Sequence, residues 1–361
     1  MEVTNKDILR HYLSSVLVYG VVLALLLFMP AFNQDIKNPL LSYWTVLFVY
    51  YILYVIFALP IFKKLRPESI LKSRNAVIVN CFKRIFSKKT LEEKLENMRL
   101  NEDEKQAFVI LFIKTFFGVY SLNLLCSKFL PQLGYDFDFL SAIGGQTLEY
   151  VQTAGLWYGF MQFIDDSADM WINLMLMITT IVYTISYLTE SKILKNNIKY
   201  ADTTSLGIIS CIMCYYPFIL LTQKFIPAST QDVIPIENTA LRLVVYCLVI
   251  AANFISMIAI LRLGTKSGNL TNRGIITKFP YNIVRHPDYA MQIIYVILTF
   301  VPLYAAGNLT VWGYIVLSVG LILWIGVYVI RAVTEERNLF KDEDYKTYCQ
   351  KVKYRFIPKV Y

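Results

Sequence analysis

The amino-acid sequence predicts an all-α polytopic membrane protein, and three observations carry that reading. Of its 361 residues 56% are hydrophobic and only 17% charged, with a mean hydropathy of +0.48; soluble domains carry about a quarter charged residues. The apolar residues fall in long unbroken stretches, close to the roughly 20 residues that a helix needs to cross a hydrocarbon core. The basic residues gather on alternate connections between those stretches.

The stretches 12–31, 41–62, 107–130, 171–189, 205–226, 241–262, 290–306 and 310–332 make about eight transmembrane helices. Backbone groups in lipid must be satisfied within their own segment, which makes the spans helical. Continuous runs, rather than alternating ones, exclude barrel strands. The first span is expected to remain on the protein. Lys6 and Arg10 give it a basic start, but the run is too long for a signal peptide and ends in Met29-Pro30-Ala31-Phe32, without a small-x-small cleavage site.

Twelve Lys and Arg residues lie between Phe62 and Ala107, whereas residues 129–190 contain none and carry Asp136, Asp138, Glu149, Asp165, Asp166 and Asp169. Positive loops stay in the cytoplasm. Eight spans with both termini cytoplasmic place 63–106, 190–204, 263–289 and 333–361 inside, and these are the basic segments. The net charge of +9 therefore reads as membrane orientation, with membrane lipids and not nucleic acid as partners. The expected location is a bacterial inner membrane, or the endoplasmic reticulum of a eukaryote. Six cysteines form no disulfide framework, and Cys211 and Cys214, a CxxC pair inside an apolar stretch, read as packing residues with no metal implied.

The chain divides into an N-terminal transmembrane region, 1–204, and a C-terminal core, 205–361. In the basic loop, residues 75–87 place Ile78, Phe82, Ile85 and Phe86 on one face beside Lys83 and Arg84, the pattern of a helix lying among headgroups. Thr90-Leu91-Glu92-Glu93 is a capping box for a second helix. The aromatic segment 132–165 is expected outside, as a loop or a re-entrant piece. Asp165-Asp166-Ser167-Ala168-Asp169 has the spacing of a magnesium-diphosphate site. No second acidic cluster accompanies it, so helix capping before the fourth span is its expected role.

Two clusters could carry chemistry. The connection before the seventh span reads Pro280-Tyr281-Asn282-Ile283-Val284-Arg285-His286-Pro287-Asp288-Tyr289, and His286 is one of only two histidines. Pro287 suits the first turn of a helix, whose positive end would face the cytoplasm and favour an electron-rich ligand group. At the end of the eighth span, Arg331 and Glu335 are four apart and share a helical face. An arginine there can hold a carboxylate or phosphate. Each cluster alone also suits an ordinary interfacial anchor or helix ion pair.

Read together, and followed by Tyr345-Lys346-Thr347-Tyr348 and Ile357-Pro358, they are more specific. The order Pro-Tyr-x-x-x-Arg-His-Pro-x-Tyr, hairpin, Glu-Glu-x-x-Leu, Tyr-x-x-Tyr, Ile-Pro over residues 262–361 resembles the isoprenylcysteine carboxyl methyltransferase family, and more loosely the phospholipid methyltransferases. The resemblance implies a pocket for S-adenosyl-L-methionine, built from the helical hairpin and the cytoplasmic tail and facing the cytoplasm. By position, Tyr281, His286, Pro287, Asp288, Tyr289 and Glu335 match the family's cofactor contacts. Ile275 and Ile276 fall in its backbone-contact stretch, and Lys266 stands at a polar contact. Arg331 matches the catalytic arginine that orients a substrate carboxylate. One departure is Phe279, where the family has glycine; here the glycine comes earlier, at Gly274.

The implied activity is methyl transfer to a lipid or lipid-modified acceptor entering from the bilayer, with carboxylate O-methylation favoured. A carboxylate is already ionised, so alignment and exclusion of water are the main requirements. An amine or phenol would need a base, for which His286 and Glu336 are nearest. The tail Tyr348 to Tyr361 also resembles that of sterol-type intramembrane reductases, which use NADPH. Glu335-Glu336 stands where those enzymes have an Arg-Asp pair, and a 2′-phosphate calls for positive charge.

Overall fold

The computed structural model describes residues 2–28, 42–87, 98–191, 193–225, 236–305 and 309–360. The chain falls into two compact units, Met1–Ser127 and Lys128–Tyr361. The division comes earlier than the 204/205 boundary read from the sequence, because the fourth apolar stretch packs with the C-terminal helices.

In the first unit, α1 (Asn5–Leu27) is started by a capping box between Thr4 and Asp7, and α2 (Tyr43–Leu65) by the Ser42 side chain. A 3-10 turn, Glu68–Lys72, leads to α3 (Arg74–Ile85), which Ser73 caps. Asn101 and Glu104 form the capping box of α4 (Glu102–Leu124). Such caps satisfy amides that the helix itself leaves unpaired, at about 1 kcal/mol each. Val18, Ile78 and Ala107 join α1, α3 and α4 in one core. The helix expected at 75–87 is present as α3, but its apolar face splits. Ile78 is buried, whereas Phe82 and Phe86 are exposed and stack 6.2 Å apart. The capping box at 90–93 lies outside the described residues.

The second unit holds α5 (Leu130–Ala154), α6 (Leu156–Leu188), α7 (Ser205–Ile212), α8 (Phe218–Phe225), α9 (Thr239–Leu263), α10 (Pro287–Ala305), α11 (Val311–Leu339) and α12 (Glu343–Lys351). Residues 132–165 are thus helical, apart from a break at Gly155, whose φ of +94° no side chain adopts easily. Pro131 lies just after the π-helical turn Leu125–Phe129 that leads into α5, an irregularity in the hydrogen-bond ladder of the kind that accompanies proline in a helix. At 33 residues α6 is about 50 Å long, longer than the roughly 30 Å hydrocarbon core.

Helix α9 packs on both α6 and α10, and α10 on α11. Two contacts set α6 and α9 antiparallel. Asp165 receives the Arg242 guanidinium at 2.6 and 2.8 Å near one end. At the other end Ser186 donates to the backbone of Thr265 at 3.0 Å and of Ser267. The acidic string therefore lies inside α6, and Asp165 serves an interhelical ion pair instead of capping a helix.

Among the described residues seven helical stretches are long and apolar enough to cross a membrane, with 102–154 counted once. The expected span 205–226 is absent from this set because it is two eight-residue helices, α7 and α8, parted by turns around Pro217. Asp202 and Thr204, just before α7, bond Arg337 near the Ser186 end, and Met213, Cys214 and Ile219 pack around Phe300 and Leu317. Two short strands, β1 (Tyr200–Ala201) and β2 (Thr271–Asn272), pair antiparallel and tie the connection after α6 to the one after α9.

Candidate functional site

The site is assembled at the end of the second unit where α10 begins and α11 ends. Pro287 opens α10, as its fixed φ and missing N–H allow. The two residues before it are held by the tail: the Arg285 amide donates to Tyr354 O and the His286 amide to Arg355 O, both at 2.9 Å. The tail is itself anchored by packing. Tyr345, Tyr348 and Val352 bury against Tyr281 and Ala259, and the Tyr348 hydroxyl donates to Tyr281 O at 2.6 Å. Burial pushes the Tyr281 hydroxyl well above its ordinary range, and the nearby Asp288 carboxylate adds to that, so it stays protonated.

Glu336 is the centre of this construction. Its carboxyl group is 2% exposed and lies 2.8 Å from Arg285 Nε, 3.2 Å from His286 Nε2 and 2.8 Å from Arg355 Nε. A carboxylate so deeply buried is sustained only by such partners. The arrangement removes Glu336 as a candidate base, because both oxygens are committed to cations. His286 is fixed with it. Its ring stacks on Tyr289 at 5.4 Å and 3°, and only Nδ1 faces the second carboxylate, 4.0 Å from Glu335 Oε2. Glu335 is about one third exposed at 34%, and among the described residues no arginine pairs with it.

Beside this cluster Arg331 is buried in an aromatic box. Its guanidinium lies 5.0 Å from the ring centre of Tyr289, 5.7 Å from Tyr328 and 5.8 Å from Tyr215. Its Nη2 donates to Asn269 Oδ1 at 3.1 Å. Asn269 is oriented in turn by the Tyr215 hydroxyl, 2.9 Å from its Nδ2, and by its amide on Tyr187 at 2.7 Å. Cation–π contacts stabilise a desolvated guanidinium by about 2 kcal/mol or more, so the charge is kept in place with no carboxylate paired to it among the described residues. The shared face expected for Arg331 and Glu335 does not become an ion pair; Arg331 turns to Asn269 and the tyrosines.

The structure brings His286, Tyr289, Arg331 and Glu335 together. Asp288 adjoins them and accepts from Ser256 at 2.5 Å. Ile275 and Ile276 instead pack on the Tyr281, Tyr345 and Tyr348 cluster. Lys266 lies on the turn after α9 with its ammonium against Gly274, whose φ is +101°. Sequence reasoning missed Asn269, Tyr215, Tyr328 and Arg355. The signal for Tyr215 was the Tyr215-Tyr216-Pro217 string inside an apparent span, since broken helices in membranes line sites. Asn269 and Arg355 have no such signal.

No family model, curated protein or solved structure matches the chain.

Proposed function

We propose that the chain is an integral-membrane methyltransferase that uses S-adenosyl-L-methionine and acts on a lipid or lipid-modified acceptor, with a carboxylate as the favoured nucleophile. The observation that carries this reading is the convergence of three distant stretches, 281–289, 331–336 and 352–356, around the buried Glu336. The donor set suits a sulfonium cofactor: Glu335 offers a carboxylate that no arginine pairs with among the described residues. His286, Pro287, Asp288 and Tyr281 complete the wall, with Ile275, Ile276 and Lys266 behind them. The bound cofactor supplies an electrophilic methyl group.

The chain's own groups then bind and align. Arg331, held planar by Asn269 and the tyrosines, is placed to receive an anionic acceptor group. Glu336 is committed to Arg285, His286 and Arg355 and is not free to take a proton. Its removal as a base favours an acceptor already ionised at neutral pH. The basic segments 190–204, 263–289 and 333–361 would put the site and both termini on the cytoplasmic face, with the broken α7–α8 stretch as an eighth crossing. The acceptor would enter sideways from the bilayer.

The test is equilibrium binding of S-adenosylmethionine and, separately, NADPH to the full chain in detergent. The expected result is binding of the first alone, weakened at least ~10-fold by Glu335→Ala, in line with loss of a charge-assisted contact. Binding of NADPH alone would support the reductase alternative. Unchanged S-adenosylmethionine affinity in both His286→Ala and Glu335→Ala would remove these residues from the site.

A further inference from the structure

A second site is built into the first unit, at the basic end of α1. A cleft there is lined by Arg10, His11, Lys72 and Ser73, with Asp7 at its edge. Arg10 and Lys72 are exposed, and neither has an ion-pair or hydrogen-bond partner among the described residues. Asp7 makes no ion pair with either among the described residues; its Oδ2 receives the Thr4 amide at 3.0 Å and the Thr4 hydroxyl at 2.6 Å, and its charge offsets part of that of Arg10.

His11 is locked in place by Ser73 Oγ, 2.7 Å from Nδ1, and by the edge of Phe62 at 5.0 Å. Ser73 Oγ also accepts from the Ala76 amide, which ties the histidine to the first turn of α3. The positive end of α3 opens on the same cleft, because Ser73 is its cap. Two cations, an imidazole and a helix N-terminus thus line one small cavity, against a single carboxylate, Asp7. These groups suit a phosphate ester.

What surrounds the cleft indicates where the phosphate comes from. Leu9, Leu13 and Leu17 run up α1 beside Arg10, 48%, 55% and 55% exposed. Leu71, in the cleft wall, is 39% exposed. Further along α3, Phe82 and Phe86 are exposed with Lys83 beside them, an apolar and basic pattern suited to a lipid surface. A phosphate bound here would have an apolar track beneath it for acyl chains.

We propose that this cleft binds the phosphodiester of an anionic phospholipid, in the leaflet on the side of the basic loop. The site is independent of the methyltransferase reading. The test uses the full chain in detergent, with native mass spectrometry of bound phosphatidylglycerol, phosphatidylcholine or inorganic phosphate alone. Phosphatidylglycerol is expected to be retained over phosphatidylcholine. The double variant Arg10→Gln/Lys72→Gln should weaken its retention roughly 30-fold, given the usual contribution of two basic side chains at a membrane surface. Lys63→Gln/Lys64→Gln, which removes equal charge from the same end outside the cleft, should retain it, and Arg10→Lys/Lys72→Arg should too. Equal retention of the two lipids would overturn the proposal, as would undiminished retention in Arg10→Gln/Lys72→Gln. Inorganic phosphate bound as tightly as the lipid would overturn the lipid source. An unchanged melting temperature in the Gln double variant separates loss of the site from loss of the fold.

Discussion

Replacing Glu336 with glutamine removes one negative charge from a site that holds two arginines and a histidine. Arg285 is 11% exposed, Arg355 25% and Glu336 2%. Breaking a buried pair by removing one partner costs about 3–5 kcal/mol, because the other charge is left desolvated. Arg355 retains some access to water, so the lower end applies, about 3 kcal/mol. The glutamine keeps the volume and one hydrogen bond to His286 Nε2, so the loss is electrostatic and not a cavity. It should be felt where the tail meets the start of α10: at the Arg285 and His286 amides, which donate to Tyr354 and Arg355. Hydrogen exchange on the purified chain reads this directly. Peptides spanning 284–287 and 353–357 should exchange on the order of 100-fold faster in Glu336→Gln, while peptides in α1 and α4 do not change. If both tail and loop kept wild-type protection, the carboxylate would not be what holds them, and the assembly of the site would need another cause.

Three further perturbations follow from the geometry. Gly274→Ala should destabilise the site loop by roughly 1–2 kcal/mol through its φ of +101°, and combining it with Lys266→Ala should not restore stability, because the Lys266 ammonium at 3.1 Å can move aside but the backbone cannot; a lower melting temperature in both variants is the check. Arg331→Lys should leave cofactor affinity intact and weaken use of an anionic acceptor by roughly 10- to 100-fold, since an ammonium cannot reproduce a planar fork sandwiched by tyrosines; equal activity would detach Arg331 from the acceptor. Burial alone would raise the Asp342 carboxyl, but the Lys199 ammonium at 2.6 Å and the Asn272 side chain outweigh it and hold it below the usual range, while the Lys199 ammonium is raised chiefly by its hydrogen bond to Asp342. A lowered acid contributes above its unfolded pKa of about 3.9, and a raised base below about 10.4. Protection of the β1–β2 pair, corrected for intrinsic exchange, should therefore be flat between these limits and fall below the acid one and above the basic one; a change near neutral pH would point to another group.

Much of this architecture is legible in the chain. Span lengths and the absence of Lys and Arg from 129–190 read directly as helices in a membrane. Thr4-x-x-Asp7 and Asn101-x-x-Glu104 mark their helix starts. The break at Pro217 was also written in the sequence, although hydropathy averaged it away. What could not be read is which of two adjacent glutamates faces inward. Successive residues on a helix point about 100° apart, and only the folded tail, through Arg355, makes Glu336 the buried one. Nor does spacing reveal that Arg331 turns from Glu335 to Asn269, because that choice depends on tyrosines contributed by α8's approach, α10 and α11. The extension of α6 back to Leu156 was hidden by its acidic residues, which read as a loop until Arg242 was seen to pair with Asp165.

The most direct test of the central claim is methyl transfer itself. Membranes carrying the full chain would be incubated with S-adenosylmethionine labelled in its methyl group, and lipid-extractable material treated with alkali. Carboxylate O-methylation predicts label in the extract that alkali releases as volatile methanol, and its loss in Arg331→Lys and Glu335→Ala. Label that resists alkali would place the methyl group on nitrogen or a phenol, and no transfer at all, from a chain that binds the cofactor, would contradict the account.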